Sequence, residues 1–109
     1  MQLTDVFFIP TQHPCLAGHF PNNPVVPGVV LLEKVEHLLN KKLSNWCITE
    51  LNHVKFLHPV LPEERIEIII DTNKLTNSET ISFTLYNIKS QTKVAAGKIS
   101  LTPKTPEIS

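Results

Sequence analysis

One stretch of the chain, Gly18-His19-Phe20-Pro21 through Pro27-Gly28-Val29-Val30-Leu31-Leu32-Glu33, holds three parts that could do chemistry together. His19 is an imidazole in a proline-stiffened loop, and a group titrating near neutrality suits proton abstraction. Gly28 opens a helix, where unpaired amides and the positive dipole end suit a developing oxyanion. With no side chain, its N–H can approach a ligand closely. Glu33 stands in the second turn of that helix. A carboxyl held partly dry stays protonated at neutral pH and can serve as an acid. Base, acid and oxyanion donor together describe α-proton chemistry beside a thioester carbonyl.

The elements that must position these groups can be read from the surrounding pattern. Val6-Phe7-Phe8-Ile9, within Thr4 to Pro10, is a β-prone run. Pro10, Pro14, Pro21, Pro24 and Pro27 then forbid a helix and preset an extended loop. A long loop made rigid in this way is a common place for function. Pro27 suits a helix start because it has no amide to leave unpaired. From Gly28 to Leu43 the spacing predicts a helix with Leu31, Leu32, Val35, Leu38, Leu39 and Leu43 on one stripe. Glu33, Glu36, His37 and Asn40 lie opposite. Lys41 and Lys42 fall where the helix dipole favours cations.

The remainder reads as β. Trp46 to Leu57, Glu64 to Asp71, a segment carrying Ile81, Phe83 and Leu85, and Val94 to Leu101 are the strand candidates. Asn73 to Ser78 is a polar turn. One helix cannot cover both faces of a parallel sheet, so an antiparallel sheet packed on one mostly apolar helix is the economical arrangement. The expectation is one α+β domain over 1–102, with 103–109 a flexible tail.

Composition narrows the function classes. The 109 residues carry 10 Lys and Arg against 10 Asp and Glu, so no net charge favours nucleic acid or an anionic membrane. No apolar run approaches the roughly 20 residues that span a bilayer. The N-terminus lacks the pattern of a signal peptide. Cys15 and Cys47 read as free thiols in a reducing compartment, with cytoplasm the default. His13, His37, His53 and His58 form no metal-ligand spacing and read as surface or strand-end residues. Cys15 reads as a small buried thiol and Phe20 as packing against an acyl channel. Lys55 and Arg65 read as solvated cations.

The stretch from Gly18 to Glu33 resembles the signature of the β-hydroxyacyl-ACP dehydratases, Gly-His-Phe-Pro-x-x-Pro-x-x-Pro-Gly-Val-x-x-x-Glu/Asp, without a gap. The separation of His19 and Glu33, 33 − 19 = 14, is the family's spacing. Val54-Lys55-Phe56-Leu57-His58-Pro59-Val60-Leu61-Pro62 is similar to the family's Lys-Phe-x-x-Pro segment. Ala95 to Leu101 is similar to its closing strand. The resemblance covers most of the chain and is nearest to the short thioester dehydratases of aryl-polyene pathways.

It implies a hotdog fold, an antiparallel sheet wrapped around one long central helix. It implies a homodimer with shared active sites, open to higher assembly, in which His19 comes from one subunit and Glu33 from the other. His19 and Glu33 are then catalytic, Gly28 the oxyanion donor, and Phe20 and Val29 substrate-binding. The substrate is a 3-hydroxyacyl group on acyl carrier protein or coenzyme A. No metal or organic cofactor is required. Asn22 stands where glycine is frequent, Lys34, Glu36 and His37 where small and apolar residues are usual, and Glu63-Glu64 where Gly-Asp is usual. These departures, with a short N-terminus, point to a specialised pathway. Two other readings use the same residues. One is a hotdog acyl thioesterase. The other is a non-catalytic subunit that binds acyl chains or pairs with an active homologue.

Overall fold

The structure, a computed structural model, describes residues 2–12, 25–72 and 79–104. Among these residues, five strands and one helix follow in the order β1 (Gln2–Phe7), α1 (Gly28–Lys42), β2 (Trp46–Phe56), β3 (Ile66–Asp71), β4 (Glu79–Asn87) and β5 (Thr92–Pro103). The strands form a single antiparallel sheet in the order β1-β3-β4-β5-β2. This is the sheet-and-one-helix architecture of a hotdog fold.

Period-2 alternation places Ile66, Ile68 and Ile70 of β3 and Ile81, Phe83 and Leu85 of β4 on the inner face, where all six are buried. Helix α1 lays Val30, Leu31, Val35, Leu38 and Leu39 into this core. Leu32 and Leu43 pack on its margin. Each such side chain contributes about 1.5–3 kcal/mol by leaving water. The helix ends at Leu43, whose amide donates to Leu39 O at 2.7 Å while its own backbone has left the helical region. Lys41 and Lys42 lie in the last turn, as the dipole favours.

Three details differ from the sequence pattern. β1 begins at Gln2 and ends at Phe7, so Ile9 is buried from a non-strand segment. Val94 and Ala95 are both buried, which strict alternation forbids. The register explains it: Leu85 pairs with Ala95 but Tyr86 pairs with Lys93, so β5 bulges at Val94. Pro103, expected to begin the tail, instead closes β5 opposite Trp46, and the next amide, of Lys104, donates to Asn45 O at 2.8 Å. Residues 105–109 lie outside the described residues.

Glu63 and Glu64 make structural use of their carboxylates. Glu63 has φ of 70°, the left-handed region that glycine enters most cheaply. Its amide donates to Ile9 O at 2.8 Å, and its Oε1 accepts from Thr11 N at 3.0 Å and Thr11 Oγ1 at 3.2 Å. Glu64 Oε1 accepts from Leu61 N at 2.7 Å, and its Oε2 accepts from Asn87 Nδ2 at 3.0 Å. These contacts tie the segment after β1, the entry to β3 and the β4–β5 turn together.

Candidate active site

Pro27 holds the N-cap of α1 at φ −61° and ψ 144°, with no side-chain cap and no acidic residue in the first turn. Among the described residues, the first helix amide with a backbone acceptor is Val30 N, 3.0 Å from Pro27 O. Among the same residues, the amide end around Gly28 is thus left for other acceptors. Val26 N donates to Val60 O at 2.8 Å, which pins the approach to the helix against the segment after β2.

That segment is turned by the β5 bulge. Val94 O accepts from both Leu57 N, at 2.8 Å, and His58 N, at 3.3 Å. β2 therefore ends at Phe56, and residues 57–60 wrap past the helix start. The Phe56 ring comes so near that a Cβ on Gly28 would stand 2.6 Å from Phe56 Cζ. Close approach, rather than an unusual φ, is what calls for glycine here. Between these parts lies a cavity of about 480 Å³, lined in part by Gly28, Leu31, Phe56, His58 and Val60.

Glu33 lies on another face. With Val30, Lys34 and His37 it borders a separate depression of about 270 Å³, and its side chain is exposed. Within one chain Glu33 and Gly28 share no cavity among the described residues. Val29 stands 63% exposed and does not line the larger cavity. His19 and Phe20, together with His13 and Cys15, lie outside the described residues. Cys47 is a free, exposed thiol on β2.

Sequence reasoning missed two contributors. Phe56 covers Gly28, and His58, read as an ordinary surface histidine, borders the cavity. Their signal was present in Phe56-Leu57-His58-Pro59, but its meaning depends on a bulge 36 residues away at Val94, since 94 − 58 = 36. Among the described residues no cluster of three or more His, Cys, Asp or Glu could hold a metal ion. Among the described residues no helix is long and apolar enough to cross a membrane.

Comparison with known proteins gives concordant matches. Residues 2–98 match the family described as ApeI-like, ApeI dehydratase. A 3-hydroxyacyl-[acyl-carrier-protein] dehydratase FabZ of Mannheimia succiniciproducens is 31% identical over 75 residues, which cover 61% of this chain and 50% of the relative. The chain thus spans about half the length of the curated relatives it matches. Among solved structures, the dehydratase heterocomplex ApeI:P from Xenorhabdus doucetiae aligns with a TM-score of 0.77 at 22% identity, over 93% of this chain and 87% of that one. An acyl-CoA hydrolase from Staphylococcus aureus aligns with a TM-score of 0.72 at 12% identity, over 99% and 73%. The architecture is therefore shared between proteins named for dehydration and for hydrolysis, and fold alone does not choose between them.

Proposed function

The chain belongs to the ApeI-like dehydratase family, and from that premise we propose that it removes water from a 3-hydroxyacyl thioester to give the trans-2-enoyl product. The observation that carries this reading is the amide end of α1, uncapped among the described residues, at an apolar cavity of about 480 Å³. A thioester carbonyl oxygen at the Gly28 amide would gain negative charge as the α-proton leaves. One such donor is worth about 3 kcal/mol in other enzymes.

His19 takes the α-proton, a role that rests on the Gly-His-Phe-Pro signature. The electrons of the broken C–H bond form the new C=C as the C3–O bond breaks. Glu33 protonates the departing hydroxyl, which leaves as water. The two groups exchange protons with solvent before the next turnover. No metal or organic cofactor enters this scheme. The family match favours it over hydrolysis of the thioester.

Glu33 faces away from the Gly28 cavity of its own chain, which supports a site completed by a second subunit. A homodimer is the simplest form. Pairing with a different hotdog chain is the second reading, favoured by the heterocomplex named for the Xenorhabdus doucetiae relative. The acyl group is carried on acyl carrier protein or coenzyme A; the curated relative's name favours the former.

Mass spectrometry of 3-hydroxyacyl carrier and coenzyme A substrates tests the reading. The expected outcome is a loss of one water, abolished by His19→Ala and strongly reduced by Glu33→Gln while both variants stay folded. Thiol release without dehydration would transfer the assignment to a thioesterase. Binding without turnover, alone and with a second hotdog chain, would leave a non-catalytic subunit.

A further inference from the structure

We propose that His58 grips the amide-bearing arm that joins the acyl group to its carrier, and so sets preference for the thiol half of the substrate. The inference rests on the thioester reading above and adds a residue and a substrate portion to it. Among the described residues lining the cavity, His58 is the sole one whose side chain carries a hydrogen-bonding atom; Leu31, Phe56, Leu57 and Val60 are apolar. No Lys, Arg, Asp or Glu lines it among the described residues.

A thioester placed with its oxygen at the Gly28 amide extends in two directions. One is a hydrocarbon chain, which apolar lining accommodates. The other is a pantetheine arm, whose amides each present an N–H and a C=O. Neutral imidazole offers one donor and one acceptor, a match for either half of an amide. His58 is exposed, so water satisfies it when the cavity is empty and no buried polar group is stranded. It therefore stands at the mouth, where the polar arm must pass.

Its backbone is held for this work. The amides of Leu57 and His58 converge on Val94 O, at 2.8 and 3.3 Å. At this bulge the neighbouring residues of β5 pair with consecutive residues of β4, Ala95 with Leu85 and Lys93 with Tyr86. Pro59 follows at once, and Val60 O receives Val26 N at 2.8 Å. The segment carrying His58 is thus fixed at both ends to the sheet and to the approach of α1. The lining offers the imidazole as its one side-chain hydrogen-bonding group among the described residues, which suits an amide of the arm.

The test compares one 3-hydroxyacyl group on two thiols, pantetheine and ethanethiol, with wild-type protein, His58→Leu and His58→Gln. His58→Leu should raise KM for the pantetheine thioester about fivefold to tenfold, the effect of one hydrogen bond. The kcat should hold, and the ethanethiol thioester should be unaffected. His58→Gln, which keeps a donor and an acceptor, should recover most of the loss. A fall in kcat on both substrates, an equal rise of KM on both, or no change on either would overturn the assignment. Calorimetric titration of pantetheine alone needs no turnover and should show the same fivefold to tenfold weakening in His58→Leu. Wild-type protein that leaves both thioesters intact but binds pantetheine through His58 would remove the dehydratase reading and keep the contact. Dehydration by a protein whose pantetheine affinity ignores His58→Leu would do the reverse.

Discussion

Two glycines meet aromatic rings at nearly the same distance, and their surroundings give opposite consequences. A Cβ on Gly97 would stand 2.7 Å from Phe83 Cε1 and 3.1 Å from Val54 Cγ2. Phe83 is 1% exposed in the middle of the sheet's inner face and has nowhere to go. A Cβ on Gly28 would stand 2.6 Å from Phe56 Cζ, but that ring is 50% exposed and can swing outward. Gly97→Ala should therefore lower stability by about 1–3 kcal/mol, the usual cost of overpacking. Gly28→Ala should cost under about 1 kcal/mol, with its larger effect on turnover because the displaced ring reshapes the cavity. Urea denaturation of both variants decides the matter: equal losses would show that Phe56 is as constrained as Phe83. The motif that includes Gly28 was legible in the sequence. The ring above it was not, because that contact joins residues 28 apart, from 28 to 56, through a turn the local pattern does not encode.

At the scale of elements, the helix and the inner strands were legible because their apolar periods are long and regular. Pro27 before Gly28 marked the start of α1, and Ile66, Ile68 and Ile70 marked a half-buried strand. Bulges were not legible, since a bulge is a property of two paired strands and not of one. Val94 carries the consequence, sending residues 57–60 across the helix start. The β4–β5 turn shows a second such dependence. Asn87, 6% exposed, accepts from Lys89 N at 3.1 Å and Ser90 N at 3.3 Å through Oδ1, and donates through Nδ2 to Glu64. Asn87→Ala strips the turn of its internal acceptor and leaves a Glu64 oxygen without that donor, at a cost of about 1–3 kcal/mol. Asn87→Asp keeps the acceptor but sets a second carboxylate against Glu64, so it should destabilise at neutral pH as well. Thermal unfolding of the two variants checks this; wild-type melting for Asn87→Ala would mean that water replaces the network at no loss.

For the whole molecule, the described residues leave an elongated shape with apolar side chains on its surface. Its extents are 53 × 32 × 21 Å and its radius of gyration is 15.2 Å, where a compact chain near this length measures about 13 Å. Val29, Phe56 and Leu57 expose apolar side chains near the start of α1. β2, an 11-residue strand, pairs among the described residues with β5 alone and so forms an edge of the sheet. A flat slab with a long open edge buries its apolar margin most simply against a second copy. The same contact would dry Glu33, which lies one helical turn beyond Val29 and is exposed in the single chain. On the proposed shared site, this is the part that one sequence cannot spell out, because half of its walls would belong to another molecule. Val29→Glu separates assembly from folding. In the single chain Val29 is 63% exposed, so a carboxylate there leaves the core untouched, whereas burying it unpaired between subunits costs several kcal/mol. Light scattering should give the wild-type particle about twice the 12.3 kDa chain mass, and Val29→Glu a single chain with unchanged far-ultraviolet circular dichroism and no dehydration activity. An active wild-type protein that remains one chain at micromolar concentration would sink the shared site, and the acid would then have to come from a carboxyl group of the chain that holds Gly28.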